Sequence, residues 1–103
     1  MGKPNGTHNY FVYILTNKRK TVLYTGMTND LVDRLYYHNN PSPNSKSFTA
    51  KYNCKFLIYW ERFQLVDHAI QREKEIKCWR REKKVALINS FNPEWNFLNE
   101  EVG

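Results

Sequence analysis

Five residues have the types and spacing to do chemistry together: Tyr13, Tyr24, Arg34, His38 and Glu73. The tyrosines lie in short β-prone runs, Val12-Tyr13-Ile14 and Tyr24-Thr25-Gly26, with ten residues between them. Arg34 follows ten residues after Tyr24, His38 comes one helical turn later, and Glu73 stands far downstream. A glutamate offers hard oxygen donors to a divalent cation such as Mg²⁺ or Mn²⁺, and Mg²⁺ commonly takes only one or two carboxylates besides water and phosphate. A guanidinium presents a fork of donors matched to phosphate oxygens and can offset charge that develops in a transition state. Two phenols and an imidazole can hold and pass a proton.

These side chains need elements to hold them. Tyr10 to Leu15 and Val22 to Met27 are continuous β-prone runs, separated by the polar segment Thr16 to Thr21, which predicts a hairpin with a basic tip. Gly26 near the end of the second run suits close backbone approach. A helix is expected after an Asx cap at Asn29 or Asp30, running to about Asn39. The turn-forming stretch Asn39 to Ser47 predicts a mobile loop. Phe56 to Phe63 reads as a third strand, followed by helices over about Leu65 to Trp79 and Arg81 to Ser90, the last stopped by Asn92-Pro93. The order is β-β-α-β-α-α: a mixed α/β (α+β) fold with a small three-stranded antiparallel sheet flanked by helices. Residues 10–99 form one domain, and Met1 to Asn9 a flexible polar tail.

Helical periodicity sets Glu73 apart. At about 100° per residue, Val66, Ala69, Ile70, Glu73, Ile76 and Lys77 share one face, so a carboxylate interrupts an apolar stripe. Burial of that charge requires compensation, from a bound cation or from an ion pair with Arg34, Arg62 or Lys77. Leu31, Arg34, Leu35 and His38 share a face of the first helix, which sets Arg34 and His38 beside the buried side. Arg34 could instead pair with Asp30 four residues earlier, and His38 could be a satisfied boundary histidine. Strand tyrosines are most often packing residues with a hydroxyl at the rim.

The two tyrosine segments in this context resemble the GIY-YIG nuclease family, as in the N-terminal domain of the excinuclease C subunit and in small stand-alone bacterial proteins. The similarity runs from Phe11-Val12-Tyr13-Ile14-Leu15 to Asn92-Pro93-Glu94-Trp95, and the segment Leu23 to Leu35 is its most specific part. Phe48-Thr49-Ala50-Lys51-Tyr52 and Arg72-Glu73-Lys74-Glu75-Ile76-Lys77 resemble the stand-alone subgroup. Val12 stands where the family name has glycine, and Thr25 where it has isoleucine. The resemblance implies metal-dependent hydrolysis of a phosphodiester in DNA, in a repair or recombination setting. It makes Glu73 the metal ligand and Arg34 the phosphate-stabilising residue. Tyr13 would help deprotonate the attacking water, Tyr24 would orient that water or a phosphate oxygen, and His38 would support them. A phenol near pKa ~10 is a poor base at neutral pH, but a cation and Arg34 both favour its phenolate. An asparagine late in the family's pattern has three candidates here, Asn89, Asn92 and Asn96.

Composition agrees with a folded, polyanion-binding domain. Of 103 residues 41% are hydrophobic and 16% aromatic, which argues against disorder, and sixteen Lys and Arg against ten Asp and Glu give +6. Lys18, Arg19 and Lys20 at the hairpin tip, and Lys46, Lys51 and Lys55 in and after the loop, are candidates for phosphate contacts that position a backbone without reading sequence. The seven basic residues between Arg72 and Lys84 alternate with acids and suit a solvated helix surface. Tyr36, Tyr37, Tyr52 and Trp60 could stack on exposed bases, with core packing favoured for Trp60. His8, His38, His68, Cys54 and Cys78 show none of the usual zinc-ligand spacings, and four glycines leave no phosphate-cradling loop. Cys54 and Cys78 are expected to be reduced thiols in a cytoplasmic protein, with no targeting segment or membrane span. DNA is the expected partner, RNA remains open, and a partner protein could supply substrate specificity. The rival functions are a nucleic-acid-binding module with this fold and little catalysis, and a protein-interaction domain.

Overall fold

Strand β1 (Tyr10–Thr16) and strand β2 (Leu23–Thr28) form the expected hairpin in this computed structural model, which describes residues 9–102. The tail expected at the N-terminus lies, through position 8, outside the described residues. The hairpin turn is organised by Asn17. Its Oδ1 accepts from the backbone N–H groups of Thr21 (2.8 Å) and Val22 (3.1 Å), and its carbonyl accepts from Lys20 N–H. Lys20 adopts φ 61° to close the turn.

The remaining elements are α1 (Leu31–Asn39), a one-turn α2 (Phe48–Lys51), β3 (Phe56–Phe63), α3 (Val66–Lys77) and α4 (Arg81–Phe91). Asp30 is the N-cap of α1, its carboxylate accepting from Asp33 N–H at 3.0 Å, as the Asx signal predicts. Asn92 caps the end of α4 just before Pro93. The expected element order holds, with α2 as an addition inside the long connection between α1 and β3. Ser47 caps α2 by accepting from Ala50 N–H.

All strand pairs are antiparallel, in the order β2-β1-β3. The central strand β1 is covered on both faces, which is why Val12 to Thr16 are all buried rather than alternating. Val12 and Ile14 meet Ala69 of α3 and Ile88 of α4 on one face, while Tyr13 and Leu15 meet Leu31 and Leu35 of α1 on the other. A bulge between Ile14 and Leu15 leaves Ile58 as an extra residue in β3, so Ile58 and Tyr59 join the same core cluster. The far edge of β3 is closed by the C-terminal segment, where Leu98 N–H donates to Leu57 O at 2.7 Å and Asn99 Oδ1 accepts from Leu57 N–H at 2.8 Å. Strand β2 is the other edge of the sheet. Among the described residues, no helix is long and apolar enough to cross a membrane.

Candidate active site

Tyr13 is paired across the hairpin with Gly26. That register gives the glycine its purpose. A Cβ at position 26 would stand 2.5 Å from Tyr13 Oη and 3.0 Å from Tyr24 Cε2, so only glycine lets the phenol lie across β2. Tyr13 and Tyr24 face each other with ring centroids 6.4 Å apart.

His38, at the end of α1, meets the same phenol. Its Nε2 lies 3.1 Å from Tyr13 Oη, and its Nδ1 lies 3.0 Å from Thr49 Oγ1 on α2. All three residues are buried. His38 also makes an edge contact with Tyr24, centroids 5.8 Å apart. Burial, with Arg34 beside it, lowers the His38 pKa to about 4, so the imidazole is neutral at neutral pH. The Tyr13 phenol is held protonated well above its usual range, first by burial and then by neighbouring Tyr24. Arg34 opposes that shift, and Glu73 adds to it.

Arg34 therefore acts electrostatically on both Tyr13 and His38. The expected alternative pairing with Asp30 is not made: among the described residues Arg34 forms no ion pair, and its guanidinium lies over the Tyr37 ring at 5.6 Å. Its charge remains available to an anion.

Glu73 is the outlying member. It comes from α3, in the layer that covers the Val12 and Ile14 face, whereas Tyr13, Tyr24 and His38 belong to the face covered by α1 and α2. Its carboxylate is half-buried, and Oε2 pairs with Lys77 Nζ at 3.2 Å, the intrahelical pair foreseen as one compensation. Among the described residues no hydrogen bond or ion pair joins Glu73 to the other four, and its link to them is the charge sensed at Tyr13. The stripe around it is narrower than periodicity predicts. Ala69 and Ile76 are buried, but Val66 and Ile70 are exposed. Among the described residues, no group of three or more His, Cys, Asp or Glu side chains could enclose a metal ion. A single carboxylate suits a mostly hydrated Mg²⁺ or Mn²⁺ that arrives with a phosphate, and not a cation locked into a protein cage.

The basic residues sort by position. Lys18, Arg19, Lys46 and Lys51 are exposed, and Lys55 is half-buried. Lys20 is exposed but leans over the Phe97 ring at 5.3 Å, and Lys51 over the Tyr52 ring at 5.4 Å. Tyr36, Tyr37 and Tyr52 are exposed, while Trp60 packs edge-on against Phe11 and Phe91. The candidate asparagines are structural. Buried Asn92 donates to the carbonyls of Ile58 and Asn96 and accepts from Asn96 N–H, and Asn89 Oδ1 accepts from Trp95 Nε1. The bond to Ile58 ties the end of α4 to β3, the strand at the opposite edge from β2, and the others fold the following segment back on α4.

Two features escaped the sequence. The role of Thr49 is invisible in the sequence, because its partner His38 is eleven positions away and α2 is a single turn. Phe48, next to it, stacks on Tyr24 at 5.8 Å with 28° between the rings and is itself exposed. The Ser47 cap followed by Phe-Thr-Ala-Lys was the available signal for that turn of helix. A cavity of about 400 Å³ lies apart from these residues, lined by Phe11, Asp30, Val32, Trp60 and Val102 among others.

Comparison with known proteins gives a consistent result. The model of the GIY-YIG catalytic domain matches residues 9–86. The UPF0213 protein of Bacillus pumilus is 36% identical over 95 residues, covering 92% of this chain and 94% of the relative. The UPF0213 protein of Clostridium perfringens is 39% identical over 92 residues, covering 89% and 96%. The solution structure of the UPF0213 protein from Bacillus halodurans superposes with a TM-score of 0.54 at 26% identity, covering 84% of this chain and 89% of that one.

Proposed function

The chain belongs to the GIY-YIG catalytic-domain family, and from that premise we propose that it is a metal-dependent endonuclease hydrolysing phosphodiester bonds in DNA. The observation that carries the reading is the buried Tyr13–His38 contact over Gly26, with the unpaired Arg34 acting on both residues. A structural tyrosine needs neither a bare glycine beneath its hydroxyl nor a guanidinium held beside it without a carboxylate.

In this reading Arg34 receives the phosphate and offsets the charge that builds on its oxygens during attack. Tyr24 Oη orients the water or a phosphate oxygen. Tyr13 Oη exchanges a proton with the attacking water, and His38 Nε2, at 3.1 Å, steadies the phenol oxygen through that exchange. Arg34 favours the anionic form of Tyr13 and so counters part of the burial that holds it protonated. Glu73 would hold Mg²⁺ or Mn²⁺ with water and phosphate as the other ligands. When bound, that ion would supply charge neutralisation at the phosphate and a more acidic water. Lys18, Arg19, Lys46 and Lys51, with Lys55, would track the backbone, and Tyr36, Tyr37 and Tyr52 offer exposed rings to unpaired bases.

One observation favours a second reading, a nucleic-acid-binding module without catalysis. Glu73 is already paired with Lys77, on a helix whose buried residues Ala69 and Ile76 pack on the Val12 and Ile14 face. A single experiment separates the two. Purified protein is incubated with duplex, nicked, branched and single-stranded DNA, and with RNA, in Mg²⁺, Mn²⁺ or chelator. The endonuclease reading expects metal-dependent cleavage that Glu73→Ala abolishes while binding persists. Arg34→Ala should cost about 2–4 kcal/mol of transition-state stabilisation and some phosphate affinity as well. No cleavage of any substrate, or full activity in Glu73→Ala, would leave the binding module as the answer.

A further inference from the structure

The hydroxyl on the far side of His38 has no part in the function proposed above, yet its hydrogen-bond partners determine the state of the imidazole. Ser47 Oγ accepts from Ala50 N–H at 3.3 Å and from Ser45 O–H at 3.1 Å. A hydroxyl has two acceptor sites and one hydrogen, so Ser47 has only its hydrogen left to offer. Thr49 Oγ1 stands 3.5 Å away, on the side where that hydrogen can be given. His38 Nδ1 lies 3.0 Å from Thr49 Oγ1, within reach of the Thr49 hydrogen. A ring nitrogen that accepts carries no hydrogen, and a neutral imidazole then carries its hydrogen on Nε2. Nε2 lies 3.1 Å from Tyr13 Oη.

We propose that Thr49 is a positioning residue: its hydroxyl donates to His38 Nδ1, fixes the Nε2–H tautomer, and so makes His38 a donor to the Tyr13 oxygen. The sequence of donation runs Ser45, Ser47, Thr49, His38, Tyr13, with each group donating once. Tyr13, receiving a hydrogen from His38, keeps its own for a partner other than the imidazole. A hydrogen bond donated to the phenol oxygen also favours its anion. The short helix α2 thus acts on the chemistry without touching a substrate. The burial of Thr49, at 4% exposure, keeps water from competing for Nδ1. The catalytic consequence rests on the endonuclease reading, but the tautomer does not.

The test uses the ¹⁵N-labelled full chain. Long-range ¹⁵N–¹H correlation at neutral pH should show His38 with Nδ1 unprotonated and Nε2 protonated. Thr49→Ser, which keeps the hydroxyl, should preserve that pattern. Thr49→Val should give a mixture in which Nδ1–H gains population, because Tyr13 can then turn to donate to Nε2. In the cleavage assay Thr49→Val should lower kcat by about tenfold or more at unchanged KM, with Thr49→Ser restoring it. A wild-type His38 protonated on Nδ1 would overturn the proposal, as would a tautomer indifferent to Thr49→Val. A tautomer that shifts in a protein with no cleavage activity would count against the endonuclease reading and leave the Thr49 assignment standing.

Discussion

Thr25 carries a cost that nothing around it relieves. It is 5% exposed on β2, paired with Ile14, and its Oγ1 is the buried side-chain polar atom that lacks a partner among the described residues. An unsatisfied buried hydroxyl costs on the order of 1–3 kcal/mol. Thr25→Val replaces that hydroxyl with a methyl of the same shape, on the face where Val12, Ile14 and Ile58 pack. The variant should be more stable by about 1 kcal/mol, seen as a higher urea midpoint at unchanged slope. A less stable variant would mean that the hydroxyl is satisfied in solution. Sequence marked Thr25 as a departure from the family pattern, but its solitude depends on which atoms the core places near it. Gly26 was legible further, since a glycine two positions after a strand tyrosine already suggests close approach. Thr49 was not legible, because its meaning rests on a partner brought near by an irregular connection.

Among the elements, those with a strong local signal fell where periodicity and turn chemistry put them. The Asx cap fixed the start of α1, and the aromatic run fixed β3. The α2 turn, with four residues, is too short for any period to show. The apolar stripe on α3 is buried only at Ala69 and Ile76, since periodicity gives a face but not how much of it meets the sheet. The hairpin tip offers three cations in sequence, and the structure divides them. Lys20 leans over Phe97, and its carbonyl faces Arg81 Nη2 at 3.5 Å, while Lys18 and Arg19 are exposed at the tip. Each phosphate neutralised on duplex DNA contributes about −0.9 to the slope of log affinity against log salt. Lys18→Ala with Arg19→Ala should therefore flatten the slope by up to about 1.8, and Lys20→Ala should change it little. Fluorescence anisotropy across a salt series, in chelator so that nothing is cut, measures both. An unchanged slope in the double variant would remove the tip from the DNA surface and leave the α1–α2 face, with Lys46 and Lys51, as the candidate.

For the molecule as a whole, the position of His38 between α1, α2 and the sheet couples folding to pH. Its pKa is about 4 in the folded chain, against an ordinary value near 6.5 once unfolded, and burial beside Arg34 is the cause. Between those values the unfolded chain binds a proton that the folded chain refuses, so stability must fall as pH drops from about 6.5 towards 4. At about 1.4 kcal/mol per pH unit, the loss across that window is on the order of 3 kcal/mol, a large share of what a domain of this size has to spare. The opposite limb belongs to the phenols. Tyr13 and Tyr59 are held protonated in the fold, Tyr59 by burial and by its bond to Glu61, so their contribution is full below about pH 10 and is lost above it. Urea unfolding at intervals from pH 4.5 to 7 isolates the histidine when wild type is set against His38→Gln, whose amide cannot take up the proton. The wild type should lose stability steeply towards acid, and the variant should start lower and stay comparatively flat, with other groups titrating equally in both. Parallel curves would mean that His38 titrates in the folded chain much as it does unfolded.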